Sequence, residues 1–121
     1  MKVAVVGSRG VTVDIAPYVP PGATTIVSGG AVGIDTCAAA FARARGLGLV
    51  EIRPDYARYG RGAPLRRNSE IVGAADRVLA FWDGTSRGTL DAIVKARALG
   101  KPIRVLRCAG GFVVADDDRA P

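Results

Sequence analysis

The stretch TTIVSGGAVGIDTCAAAFARARGLGLVEI, Thr24 to Ile52, decides the fold. Thr24 to Val27 is a short β-branched run of the kind that forms a strand buried on both faces. Ser28-Gly29-Gly30 follows it as a loop. Ile34, Cys37, Ala38, Phe41 and Ala44 then recur at helical spacing, and Gly46 supplies a helix stop. Leu49 to Ile52 is the next apolar run, closed by Arg53-Pro54. Strand, glycine-rich loop, helix and strand in this order make parallel strands joined by a crossover.

The alternation continues on both sides. Lys2 to Val6 is a strand ended by Gly7, and Val11 to Val19 reads as a weakly patterned helix closed by Pro20-Pro21-Gly22. Asp55 to Pro64 reads as a loop. Leu65 to Ala75 reads as a helix with Arg66, Arg67, Asn68 and Glu70 in its first turns. Val78 to Trp82 is a strand, Asp83 to Gly88 a loop, and Thr89 a cap for a helix whose apolar face is Leu90, Ile93, Val94 and Ala98. That helix stops at Gly100. Pro102 to Leu106 is a strand, and Phe112 to Val114 an edge strand before an acidic tail over 115–121. The expected fold is a single α/β domain over 1–121, with a doubly wound, Rossmann-like parallel sheet of about five strands.

The chain has 121 residues, 49% of them hydrophobic and 23% charged, enough for one core. Aromatics make up only 6%, so the core falls to Val, Ile, Leu and Ala. Histidine is absent, which excludes a Ser-His-Asp triad, a Cys-His dyad and a His-ligated metal within one chain. Cys37 and Cys108 form no Cys-x-x-Cys arrangement, which argues for a reducing compartment and against zinc. No cofactor and no metal is expected, and any catalysis would run on carboxylates, Arg, Lys, Tyr or Ser.

The net charge of +6 suits an anionic partner, whether nucleotide, nucleic acid or an acidic protein face. Scattered arginines that solvate the surface account for it equally well. Asp116-Asp117-Asp118 reads as a solvated tail rather than a metal site. No segment is long and apolar enough to span a membrane, and the Lys2 to Val6 run is too short for a signal peptide. A cytoplasmic location with no membrane partner is the expectation.

Open parallel sheets bind ligands outside the carboxyl ends of their strands. Three loops of unusual composition leave those ends: Gly7-Ser8-Arg9-Gly10, Ser28 to Gly33, and Asp83 to Thr89. Gly7, Gly29, Gly30, Gly33 and Gly88 would let the backbone approach a ligand. Ser8, Ser28, Ser86 and Thr89 add hydroxyls, Arg9 and Arg87 add charge, and the following helix N-termini suit phosphate. Any one such loop is an ordinary strand-to-helix turn; three converging ones mark a ligand site. Arg67 and Asn68 join it from a helix start, and Trp82 beside Asp83 could stack on a base or pack at the sheet rim. Asp35 reads as complementing its helix N-terminus or holding an Arg, Tyr59 as a pocket wall or loop anchor, and Cys37 as a small buried hydrophobe. Gly-x-Gly-x-x-Gly and Walker A patterns are both missing, which disfavours a nicotinamide dehydrogenase and a P-loop ATPase.

After Gly7-Ser8-Arg9, the ordered series Ser28-Gly29-Gly30-Ala31-Val32-Gly33-Ile34-Asp35, Tyr59-Gly60, Arg67-Asn68, Phe81-Trp82-Asp83-Gly84 and Gly88-Thr89 resembles the SLOG superfamily. The resemblance runs from Val3 to about Leu106. That group includes DNA-processing protein A, the lonely-guy phosphoribohydrolases and small stand-alone proteins, the last being most similar in motif order. It implies a Rossmann-like domain that binds or senses a nucleotide, nucleotide sugar or ADP-ribose-like molecule on these loops. Related proteins are commonly dimers, so a homodimer is an expectation.

The resemblance also implies two alternatives. The phosphoribohydrolases carry Pro-Gly-Gly-x-Gly-Thr and then Glu, with an upstream Arg; here the Pro-Gly-Gly start is missing and Asp91 stands for Glu. On that reading Arg67 holds phosphate while Asp91 or Glu70 stabilises an oxocarbenium-like centre or activates water, in N-glycosidic hydrolysis of a nucleoside 5'-monophosphate. In DNA-processing protein A the ligand is single-stranded DNA, and this chain lacks an aromatic-interleaved basic stripe.

Overall fold

The computed structural model describes residues 1–117. Its strands are β1 (Lys2–Gly7), β2 (Thr25–Ser28), β3 (Gly48–Glu51), β4 (Arg77–Trp82), β5 (Ile103–Ala109) and β6 (Phe112–Asp116). Its α-helices are α1 (Ile34–Arg45), α2 (Tyr56–Tyr59), α3 (Ala63–Ala74) and α4 (Arg87–Ala98). The sheet order is β3-β2-β1-β4-β5-β6. β1 to β5 pair in parallel and β6 runs antiparallel to β5. From β1 the chain moves outward to β2 and β3, then returns to place β4 on the other side of β1. The strand order therefore reverses beside β1, where such sheets form a crevice.

The two central strands are buried on both faces, as their unbroken apolar runs require. Their alternate residues serve opposite layers. Ala4, Val6, Val78 and Ala80 meet Ile71 and Val72 of α3 and Ala92, Ile93 and Ala96 of α4. Val3, Val5, Leu79 and Phe81 meet Ile34, Ala38 and Ala42 of α1 together with Val11 and Ile15. Gly7 lets α1 start close against β1: a Cβ there would lie 2.5–2.7 Å from three carbons of Ile34.

The structure corrects four readings of the sequence. Val11 to Val19 holds only a single 3-10 turn, Ala16–Tyr18. Pro17 lacks an N–H and β-branched residues crowd a helix, while Val11 and Ile15 are drawn into the core from irregular backbone. The 55–64 segment contains α2 and a 3-10 turn, with Asp55 accepting from Arg58 N at 3.1 Å. α3 begins at Ala63 with Pro64 beside it, which moves Arg67 and Asn68 to the second turn. The acidic residues before 118 are not a free tail: Asp116 pairs with Arg104 at 2.8 Å and Asp117 with Arg107 at 2.9 Å. The rest of that segment, 118–121, lies outside the described residues. Among the described residues no helix is long and apolar enough to cross a membrane.

Candidate functional site

A cavity of about 270 Å³ opens at the carboxyl end of β1, between the loops after β1, β2 and β4 and the helices α3 and α4. One wall is the N-terminus of α4. The Asp83 carboxylate builds the turn before it, accepting from Thr85 N at 2.9 Å, Ser86 N at 2.8 Å and the Thr85 hydroxyl at 3.2 Å. Those bonds hold its carboxyl below the ordinary range. Ser86, not Thr89, is the helix cap, accepting from Thr89 N at 3.4 Å. Arg87 and Gly88 lie in the first turn, where backbone N–H groups have no helical acceptor. Ser8 ties this wall to β1: its hydroxyl accepts from Asp83 N at 3.2 Å and lies 3.4 Å from the Thr89 hydroxyl.

The opposite wall joins β2 to α3. Arg67 reaches from α3 and donates from Nη1 to the Gly29 carbonyl at 3.0 Å. Gly29 is glycine because a Cβ would occupy the space taken by the Arg67 guanidinium and the Asp35 carboxylate. Asp35 Oδ2 accepts from Ala31 N at 3.1 Å, and the residue is only 8% exposed. Burial pushes its carboxyl above the ordinary range, against the pull of the Ala31 N–H and of Arg67. Burial likewise lowers the Arg67 guanidinium, which stays cationic at neutral pH. Arg67 Nε and Ser28 Oγ are buried without a hydrogen-bond partner among the described residues.

The Asp35 arrangement fixes the sign of a pH effect. A carboxyl raised in the folded state binds more protons there than in the unfolded chain. Its contribution to stability is complete below the unfolded value and is lost as pH rises through the folded value. Asp35→Asn keeps an acceptor for Ala31 N but does not titrate. Its urea midpoint relative to wild type is expected to rise between about pH 4 and pH 7. A constant difference across that range would mean that burial does not govern Asp35.

The third wall is a tether between helices. Asn68 Nδ2 donates to Gly88 O and to Asp91 Oδ2, each at 3.1 Å. Lys95 Nζ lies 2.8 Å from the same Asp91 oxygen and also donates to Leu65 O at 2.6 Å. Asp91 is therefore committed to α3 and to its own helix, and the side chain that lines the cavity beside it is Ala92.

Of the residues singled out from the sequence, Gly7, Arg9, Gly29, Arg67, Asn68, Ser86, Gly88 and Thr89 line the cavity. Ser8, Ser28 and Asp83 stand behind it as framework. Gly30 accepts from Arg53 at 3.0 Å, and Gly33 packs on the Ser8 and Arg9 carbonyls. Trp82 donates from Nε1 to Ser86 O at 3.0 Å, and Arg107 lies 5.1 Å over its ring. Tyr59 is flanked by Arg58 at 5.2 Å and Arg66 at 4.8 Å. Glu70 is exposed and outside the lining, and Cys37 is half-buried. Asp35, read as structural, both lines the cavity and holds Ala31. Pro64, Leu65 and Ile71 are lining residues that the motifs did not include; the helical spacing of Pro64, Arg67, Asn68 and Ile71 is the signal that finds them.

No protein-family model matches the sequence, and no curated protein matches it. Among solved structures, the X-ray structure of TM1055, a Northeast Structural Genomics Consortium target, is similar with a TM-score of 0.65. The two sequences are 26% identical over 91% of this chain and 76% of that one. The fold is Rossmann-like.

Proposed function

We propose that this chain is a SLOG-type domain that binds a phosphate-bearing nucleotide or nucleotide derivative, as a binding or sensing module. One observation carries the reading: the first turn of α4, with the N–H groups of Arg87 and Gly88, converges with Arg9 and Arg67 on a single cavity at the strand-order reversal. First-turn N–H groups that lack a helical acceptor, a helix dipole and two guanidinium groups suit an oxyanion. The hydrolase alternative has less support, because Asp91 is neutralised by Lys95 and Glu70 faces solvent.

The test compares AMP with adenosine by thermal shift, on wild type and on Arg67→Ala. AMP at a hundredfold excess over its dissociation constant is expected to stabilise wild type by about 2.7 kcal/mol. Adenosine is expected to do much less. Arg67→Ala should weaken AMP binding by about 1.5 kcal/mol, roughly tenfold. Equal shifts for AMP and adenosine, or no loss in the variant, would remove the phosphate reading. Release of free adenine during the incubation would favour the hydrolase instead.

A further inference from the structure

Ser86 and Gly88 both line the cavity, and between them runs the Ser86–Arg87 peptide that opens α4. A peptide unit is planar and trans, so its carbonyl and its N–H point in opposite directions. Ser86 O accepts from Leu90 N at 3.2 Å, in the first turn of the helix, and from Trp82 Nε1 at 3.0 Å. Both lone pairs of that carbonyl are therefore engaged. With the carbonyl held by two donors, the Arg87 N–H of the same peptide is directed out of the helix end, where it has no helical acceptor.

The indole is itself held in place. Trp82 is buried and stands opposite Arg107 across the β4–β5 pair, with the Arg107 guanidinium 5.1 Å over its ring. Arg107 Nη2 donates in turn to Asp117 Oδ2 at 2.9 Å. Gly84, with φ of +88°, gives the guanidinium its room: a Cβ there would lie 2.6 Å from Arg107 Nη1. Arg107 thus sits between the indole and the turn that leads into α4. Neither Trp82 nor Arg107 lines the cavity. A buried indole N–H needs some acceptor; the one it has shares a peptide bond with the Arg87 N–H.

We propose that Trp82 and Arg107 are positioning residues for the phosphate of the ligand: the indole fixes the Ser86–Arg87 peptide, and Arg107 fixes the indole. The role in binding rests on the nucleotide reading above, and the experiment separates the two. AMP dissociation constants, urea midpoints and the amide resonances of isotope-labelled, ligand-free protein are measured on wild type, Trp82→Phe, Arg107→Ala and the double variant. Trp82→Phe keeps a ring under Arg107 but has no N–H. It should weaken AMP binding by about two- to tenfold, the range of one net hydrogen bond, and move the Arg87 and Gly88 amide resonances. Arg107→Ala should move the same two amides and weaken AMP binding within the same range. The double variant should bind AMP no worse than the weaker single variant, because Arg107 acts through the indole. Lower urea midpoints with wild-type AMP affinity and unmoved Arg87 and Gly88 amides would overturn the proposal, and so would losses that add in the double variant. If wild type does not bind AMP, the nucleotide reading fails, and the two amides, read without ligand, still decide whether Trp82 and Arg107 set that peptide.

Discussion

Gly33→Ala is expected to destabilise the protein by about 4 kcal/mol, whereas Gly46→Ala should cost only about 1 kcal/mol. Both glycines flank α1 and both have positive φ, +74° at Gly33 and +66° at Gly46. Gly46 sits in the left-handed helical basin, with ψ of 28°, and a Cβ there would meet nothing within 4 Å. Only the backbone preference is lost. Gly33 combines its φ with ψ of −126°, outside the basins open to other residues. A Cβ at Gly33 would also collide with the Arg9 carbonyl and come within 2.7 Å of Ser8 O. These are backbone atoms of the loop after β1, so no side-chain rotation relieves the overlap. Strain of about 1–3 kcal/mol adds to overpacking of about 1–3 kcal/mol. Urea midpoints at constant slope measure both variants. Equal losses at the two positions would mean that the β1 loop yields freely to α1.

That contrast marks what a single sequence can and cannot tell. Gly46 is readable as a helix stop because its role is local: the apolar period of α1 ends there. Gly33 is readable as part of a glycine-rich loop, but its reason is a backbone 24 positions away, counted from Arg9 to Gly33. β1 and β4 declare themselves through continuous apolar runs, since a strand buried on both faces has no polar alternation to confuse it. The Val11 to Val19 segment misleads because its apolar residues are spaced for a core contact made by irregular chain, with Pro17 against a helix.

The site divides in the same way. Glycines and hydroxyls mark the loops, but which of them face the cavity depends on partners distant in sequence. Arg67 is set by the Gly29 carbonyl, 38 positions away. Trp82 loses its free face to Arg107, its direct neighbour across the β4–β5 pair, a register invisible before the sheet is assembled. Two signals were present and local. Asp91 and Lys95 are four apart on a helix, a spacing that pairs opposite charges. Asp55 before Tyr56 is a helix-cap residue, the mark of α2.

Asn68→Asp is expected to destabilise the protein by about 3 kcal/mol near pH 7 and by much less near pH 4. Asn68 is 7% exposed, and its amide donates at once to Gly88 O and Asp91 Oδ2. A carboxylate in its place accepts only, so it faces a carbonyl oxygen and a second carboxylate with no proton to share. The unsatisfied carbonyl costs about 1–3 kcal/mol, and the like charge adds to it. Lys95, 2.8 Å from Asp91, offsets part of that repulsion. The new carboxyl would titrate above the ordinary Asp value of about 3.9 in the folded state. The folded variant then binds the extra proton where the unfolded chain does not, and its stability falls as pH rises from about 4 to 7. Once protonated, it can donate one of the two lost hydrogen bonds. Asn68→Ala removes the donor without adding charge and should cost about 1–2 kcal/mol with little dependence on pH. Urea midpoints of the three proteins at both pH values separate the effects. If the Asp and Ala variants lose equal stability at pH 7, the charge at 68 is not felt by Asp91, and the tether between α3 and α4 is looser than its 3.1 Å contacts imply.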